Sequence, residues 1–97
     1  MNALTKEWSS ALGPLTGSGT TTSFSGRVAL VGFTVGAVAT SVVILKAGTD
    51  TLCKIPLAAN ATSTIPLYER LVEAGTTFTI YGDGVKAYCT LSYKDLR

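Results

Sequence analysis

The chain has 97 residues, of which 46% are hydrophobic and only 14% are charged, and its net charge is +2. This length suits one small domain with a single core. The basic residues form no run, so the composition disfavours a nucleic-acid partner. We expect no membrane partner either, because no apolar run reaches the roughly eighteen residues of a spanning helix. We also find no secretory signal, which predicts synthesis in the cytoplasm.

The N-terminal residues predict an arm rather than a core element. Leu4, Trp8 and Leu12 are four residues apart, which predicts a short helical turn within residues 1–12. Such a turn is marginal unless it packs on something. Residues 13–26 are rich in Gly, Ser and Thr, which is typical of a flexible or extended segment. Two interpretations remain open: a disordered leader, or an arm that orders on a neighbour with Trp8 as its anchor.

The first predicted core strand, residues 28–35, is apolar on both faces. Uninterrupted alternation puts Val28 and Leu30 on one face and Phe33 and Val35 on the other. Since both faces are apolar, a second layer or another subunit should cover each of them.

The second predicted strand, residues 38–46, shows the same property. Because Lys46 should face water, alternation leaves Val42 and Ile44 on the outer face. That outer face is a candidate contact surface.

The third predicted strand, residues 51–57, turns Cys53 inward. Pro56 cannot donate to a ladder, so this strand should lie at a sheet edge or end there. Cys53 and Cys89 both fall on inward positions. We expect two thiols, with a bridge between them as the alternative.

A fourth predicted strand, residues 62–67, is followed by a brief helical turn over residues 68–74. Glu69 and Glu73 are four apart and would share one solvated face of that turn.

The most regular alternation runs from residue 76 to residue 94 and predicts a β-hairpin. Asp83-Gly84 is a favoured two-residue loop. With that loop, Phe78 would pair with Cys89, so inward residues would face inward residues. We interpret this segment as scaffold.

About six strands with frequent turn signals predict an all-β fold. The expected architecture is an antiparallel β-sandwich or small jelly roll with an extended N-terminal arm. We divide the chain into the arm, residues 1–23, and a β-sandwich domain, residues 24–97.

No residue pattern predicts chemistry. The chain has no His, so a Ser or Cys nucleophile has no imidazole base. It also has no close Cys pair and no carboxylate cluster for a metal. We expect no catalytic residue, no metal and no cofactor, and therefore no enzyme.

Three segments carry a resemblance to a known family. The strand opening of residues 24–32, the run of residues 39–49 and the closing strand of residues 87–93 resemble small β-sandwich proteins of tailed bacteriophages, including cyanophages. These are head decoration or cement proteins. The resemblance covers roughly residues 24–94, and the turn over residues 68–73 departs from it.

The resemblance implies a structural virion protein on the outer surface of a capsid. Its partners would be the major capsid protein, whose neighbouring subunits it would bridge to stabilise the shell, and further copies of itself. It would be made in the host cytoplasm and reside in the virion.

We assign a candidate interface to the arm and to the outer face of the second strand. Its residues are Leu4, Trp8, Leu12, Leu15, Phe24, Val42 and Ile44. The alternative function is a tail or fibre adaptor, or a glycan-binding β-sandwich module, in which Tyr81 and Tyr88 beside the predicted turn stack on sugar rings. A small cellular β-protein is a third possibility.

Overall fold

The computed structural model describes residues 5–14, 19–82 and 86–96, and it is an antiparallel β-sandwich, which confirms the predicted fold class. This part of the chain holds nine strands instead of about six. They are β1 (Thr5–Ala11), β2 (Gly13–Pro14), β3 (Thr20–Ser23), β4 (Val28–Ala37), β5 (Ser41–Ala47), β6 (Asp50–Leu57), β7 (Thr62–Val72), β8 (Thr77–Gly82) and β9 (Ala87–Asp95). Among the same residues, no helix is long and apolar enough to cross a membrane.

The strands form two sheets. Sheet A has the order β1-β9-β4-β7, and sheet B has the order β2-β8-β5-β6 with β3 also paired to β8. All the pairs are antiparallel except β2 with β8. Of the consecutive strands described, only β5 and β6 pair with each other, through a turn in which Gly48 has a φ of 59°. The other connections pass between the sheets or, as with β2 and β3, join strands along one edge of β8.

The predicted hairpin over residues 76–94 is wrong. Phe78 in β8 pairs with Thr22 and Ala47 in sheet B, whereas Cys89 in β9 pairs with Ser10 and Val35 in sheet A. The inward positions were predicted correctly, since residues 78, 80, 87, 89 and 91 are all buried. Alternation identifies the buried face of a strand, but it does not identify the partner strand. Strands of two different sheets that share one core bury alternate residues just as two strands of one hairpin do. The predicted Asp83-Gly84 loop lies outside the described residues.

A β-bulge explains why β4 is apolar at so many positions. Leu30 pairs with Tyr93, yet Gly32 pairs with Ser92, so Val31 is an extra residue against β9. The insertion reverses the alternation, and Leu30 and Phe33 therefore both face the core with no exposure. The prediction that they lie on opposite faces is wrong because it assumed an unbroken strand.

Residues 68–72 continue β7 instead of forming the predicted helical turn. Arg70 pairs with Leu30, and Pro66 pairs with Gly32, so β7 carries two more residues than β4 in this interval. Tyr68 and Glu69 take up the excess in left-handed conformations, with φ of 53° and 54°. Pairing with β4 overrides the weak local helical pattern.

The N-terminal segment belongs to both sheets. β1 pairs with β9 along its whole length, so the predicted helical turn is wrong. Between β1 and β2 the chain passes from sheet A to sheet B at Leu12, which is 3% exposed and whose N–H donates to the Ala87 carbonyl. β3 then covers an edge of β8. The division of the chain at residue 23 stays a prediction, although strands on its N-terminal side are hydrogen-bonded to strands on the other.

The core lies between the sheets and is closed at one end by aromatic rings. The Phe24 ring contacts Phe78 of sheet B at 5.6 Å and Tyr93 of sheet A at 4.2 Å between centroids. Pro56 lies in β6, an edge strand of sheet B, as predicted, and Pro66 lies in β7, an edge strand of sheet A.

Candidate functional site

Val42 and Ile44 lie together on the outer face of sheet B. Both are half-buried, while Val43 and Leu45 between and beside them are fully buried. Val42 pairs with Pro56, which is exposed. This confirms the predicted orientation of β5 and leaves an apolar strip on a surface that no other described strand covers.

Other members of the candidate interface lie elsewhere. Trp8 faces inward from β1 opposite Leu91 and packs, half-buried, against the core, as does Phe24. Leu12 belongs to the core itself, so its side chain has no surface to offer a partner. Leu4 and Leu15 lie outside the described residues. Of the five predicted residues that the structure describes, Val42 and Ile44 face outward and the other three pack on or within the core, so these five do not form one surface.

The two tyrosines of the predicted glycan-binding site lie on opposite faces of the sandwich. Tyr81 is on the outer face of sheet B, where a Cβ on Gly19 would come within 2.9 Å of its Cδ1. Tyr88 is on the outer face of sheet A, and its ring covers Gly36. One sugar ring therefore cannot stack on both tyrosines, and the glycan-binding alternative stays a prediction.

Among the residues that the structure describes, the large exposed apolar side chains belong to sheet A or directly follow its strands. They are Val38, Tyr68, Leu71, Tyr88 and Leu96. Sequence reasoning missed this concentration because it placed β9 in a hairpin with β8 and treated residues 68–74 as a turn. The alternation of β9 did carry the signal for Tyr88, whose neighbours on both sides are buried.

The ion pairs between described residues gather at one end of sheet A. They are Lys6 with Asp95 at 3.6 Å, Arg27 with Glu73 at 3.7 Å, and Lys94 with Glu69. The hydrogen bond from the Lys94 ammonium, and then its charge, lower the pKa of the Glu69 carboxyl. This pair also ties β9 across β4 to the bulged part of β7.

The two cysteines are free thiols on different sheets. Cys53 is half-buried in β6, and Cys89 is 2% exposed in β9. Burial raises the pKa of Cys53, and it raises the pKa of Cys89 to about 12. A thiol held neutral in this way is a poor nucleophile and a poor metal ligand.

We expect thiol reagents to distinguish the two cysteines. A rise in pKa from 9.0 to about 12 lowers the thiolate fraction of Cys89 on the order of a thousandfold at pH 8. Labelling with a disulfide reagent, followed by mass spectrometry, should therefore modify Cys53 first and Cys89 only after unfolding in guanidinium. Equal native labelling rates would contradict the burial of Cys89.

The same pKa shift has a consequence for stability. The folded pKa of Cys89 lies above its unfolded value of 9.0, so its contribution is fully present below pH 9 and is lost as the pH rises toward 12. Urea midpoints measured across this interval, with Cys89→Ala as the reference, check the expectation.

The described residues contain no group of three or more His, Cys, Asp or Glu side chains placed to hold a metal ion. Within the same part of the chain, no buried side-chain nitrogen or oxygen lacks a hydrogen-bond partner. The surfaces of the two sheets are accordingly the candidate sites.

Comparisons with known proteins give structural similarity alone. No family model matches the chain, and no curated protein matches it. One similar structure is the C-terminal domain of A223, a structural protein from Sulfolobus turreted icosahedral virus, with 17% identity, a TM-score of 0.40, and coverage of 99% of this chain and 100% of that one. Another is a cupin domain from Bordetella pertussis Tohama I, with 14% identity, a TM-score of 0.36, and coverage of 100% and 84%. At these identities and TM-scores, neither neighbour assigns a function.

Proposed function

We propose that the protein is a non-enzymatic structural virion protein that decorates the outer surface of a phage capsid. In this role it binds the major capsid protein, bridges neighbouring coat subunits and acts as a homo-oligomer. The observation that carries the proposal is the apolar strip on the outer face of sheet B, formed by Val42, Ile44 and Pro56. The resemblance of residues 24–94 to phage decoration proteins supports it.

The physical argument begins with the low charge of the chain. Only 14% of its residues are charged, so much of its surface can be desolvated without burying an unpaired ion. Ile44 is held by pairing on both sides, with Lys54 and Tyr81, and Val42 is held by pairing with Pro56. Many weak contacts of this kind on a lattice gain strength from multiplicity.

Deletion of residues 1–23 is a poor test of capsid binding, because it removes three strands from the sandwich. A double substitution, Val42→Thr with Ile44→Thr, keeps β-branched residues in β5 and removes only the apolar character of the strip. We expect its binding to empty heads of a tailed cyanophage to weaken about tenfold or more in co-sedimentation.

The matched control is Thr64→Val, which exchanges the same two β-branched residue types in the opposite direction on the outer face of sheet A. It should bind the heads as the unsubstituted protein does. Undiminished binding of the double variant, or no binding by the unsubstituted chain, would contradict the proposal.

A further inference from the structure

We propose that the outer face of sheet A binds a neutral glycan, with Tyr88 as the platform on which a sugar ring stacks. This inference concerns the face opposite the proposed capsid contact and does not depend on it. It rests on the seat of the Tyr88 ring, on the hydroxyl groups beside it and on the distribution of charge.

The Tyr88 ring lies over the backbone of β4 at Gly36. Tyr88 pairs with Gly36, and a Cβ on Gly36 would be only 2.3 Å from the Tyr88 Cζ. Gly36 is buried although it faces outward, since the ring covers it. Tyr88 itself remains 51% exposed. The ring is therefore held against the sheet, and its remaining surface is open to a ligand. Because the side chain is already held in place, it loses little conformational entropy when a ligand binds.

A row of hydroxyl groups crosses the sheet next to this platform. It is formed by Ser9, Thr90, Thr34 and Thr64, which pair in that order across the four strands of sheet A. The Ser9 and Thr90 oxygens are 2.9 Å apart, and the Thr34 and Thr64 oxygens are 3.1 Å apart. Each pair uses one O–H internally and keeps a second O–H for a ligand. The row lies about 7 Å from Tyr88, two residues along the strands.

The rows of Tyr88 and Thr90 hold no charged residue, and Ala11 and Thr62 flank the ring. Beside these rows lie the exposed Lys86, two residues before Tyr88, and the exposed Glu7, which pairs with Ser92, so the nearest charges have opposite signs. The ion pairs of sheet A lie beyond the bulge, near Val28. Val28 is eight residues from Gly36, which is about 26 Å along a strand. With Lys86 and Glu7 of opposite sign on either side, an anionic ligand gains no net attraction from this end of the face.

The chemistry of the surface matches a pyranose better than another protein. A sugar ring has an apolar C–H face for the aromatic platform and a rim of hydroxyls for the threonines. The core of a homodimer interface is about 65% apolar, whereas the centre of this face is a row of hydroxyls. We therefore name a neutral, β-linked pyranose polymer as the occupant.

The experiment uses the full chain, with cellohexaose, chitohexaose and xylohexaose as neutral probes and an alginate hexamer as the anionic probe. Binding is followed by NMR, from the Tyr88 ring protons and the Thr64 and Thr90 amides, and by calorimetry. We expect at least one neutral probe to shift these signals, and the alginate hexamer to leave them unchanged.

Three substitutions, with a fourth as control, test whether the Tyr88 ring binds a sugar or only stabilises the sheet. Tyr88→Ala should weaken binding about tenfold, and Tyr88→Phe should restore it to within about threefold, because the ring rather than the hydroxyl is the platform. Gly36→Ala keeps the tyrosine but displaces its ring, so it should also weaken binding. Tyr68→Ala, which removes a tyrosine that is 87% exposed on β7, is the matched control and should have no effect.

A purely structural Tyr88 gives a different result. Since an aromatic ring over a glycine stabilises a strand pair, Tyr88→Ala would then lower the melting temperature with no probe-induced shifts in the unsubstituted protein. Absence of shifts with all three neutral probes would overturn the proposal. So would self-association of the chain that depends on Tyr88.

Discussion

A chain that lacks residues 1–23 should not fold cooperatively at 25 °C. The segment supplies β1, which covers one edge of β9, and β3, which covers one edge of β8. It also supplies Leu12, a core residue whose loss to alanine alone is expected to cost about 2–5 kcal/mol. Small domains have a total stability of about 5–15 kcal/mol, so the combined loss should exceed what the remaining strands can sustain.

Urea unfolding followed by circular dichroism measures this effect. A truncation of residues 1–4 alone leaves β1 intact and is the control, for which we expect a cooperative transition. If the chain without residues 1–23 kept a sharp transition at a similar midpoint, the segment would be a separate arm after all, as the division at residue 23 predicts.

Phe33→Ala should be among the most destabilising single substitutions, at about 3–5 kcal/mol. Phe33 has no exposed surface and lies in the centre of the core, opposite Leu91. Thr34→Ala, one residue along the same strand, changes a partly exposed side chain and should cost about 1 kcal/mol or less.

The bulge at Val31 can be tested by the same measurement. With the bulge, Leu30→Ala and Phe33→Ala are both costly, since both side chains face the core. With unbroken alternation, these residues would lie on opposite faces and only one of them would belong to the core between the sheets. A cost below about 1 kcal/mol for either Leu30→Ala or Phe33→Ala would contradict the bulge.

The two outer faces of the sandwich suit different partners. Sheet B offers β-branched apolar residues, which favour a flat protein surface. Sheet A offers a fixed aromatic ring with hydroxyl groups beside it and has its ion pairs at the far end. Because the two faces point away from each other, a copy bound to a particle through sheet B can keep sheet A accessible. The proposals of capsid binding and of glycan binding can therefore be tested, and can fail, separately.

Much of the local structure could be predicted from alternation and turn chemistry. The strand positions of β4, β5 and β6, the outward orientation of Val42 and Ile44 and the edge position of Pro56 follow from residue type alone. These features depend on near neighbours, for which a period of two and a missing N–H donor are sufficient.

The segment before residue 24 could not be predicted in the same way. Its serines, threonines and glycines have little intrinsic preference for one structure. They become strands because β8 and β9 present unpaired edges to them, and those edges are made by residues more than fifty positions away. The position of the Tyr88 ring could not be predicted for the same reason. The ring packs on Gly36, which lies on a strand that is next to β9 in space but distant from it in sequence.

The sequence by itself determined that this is a charge-poor, all-β protein and which residues of β8 and β9 face the core. Only the tertiary structure decided that these two strands belong to different sheets, that a bulge turns Leu30 and Phe33 to the same side, and that Tyr81 and Tyr88 face opposite directions. The physical reason is that alternation records burial, whereas the choice of partner strand depends on backbone hydrogen bonds that nearly any residue can make.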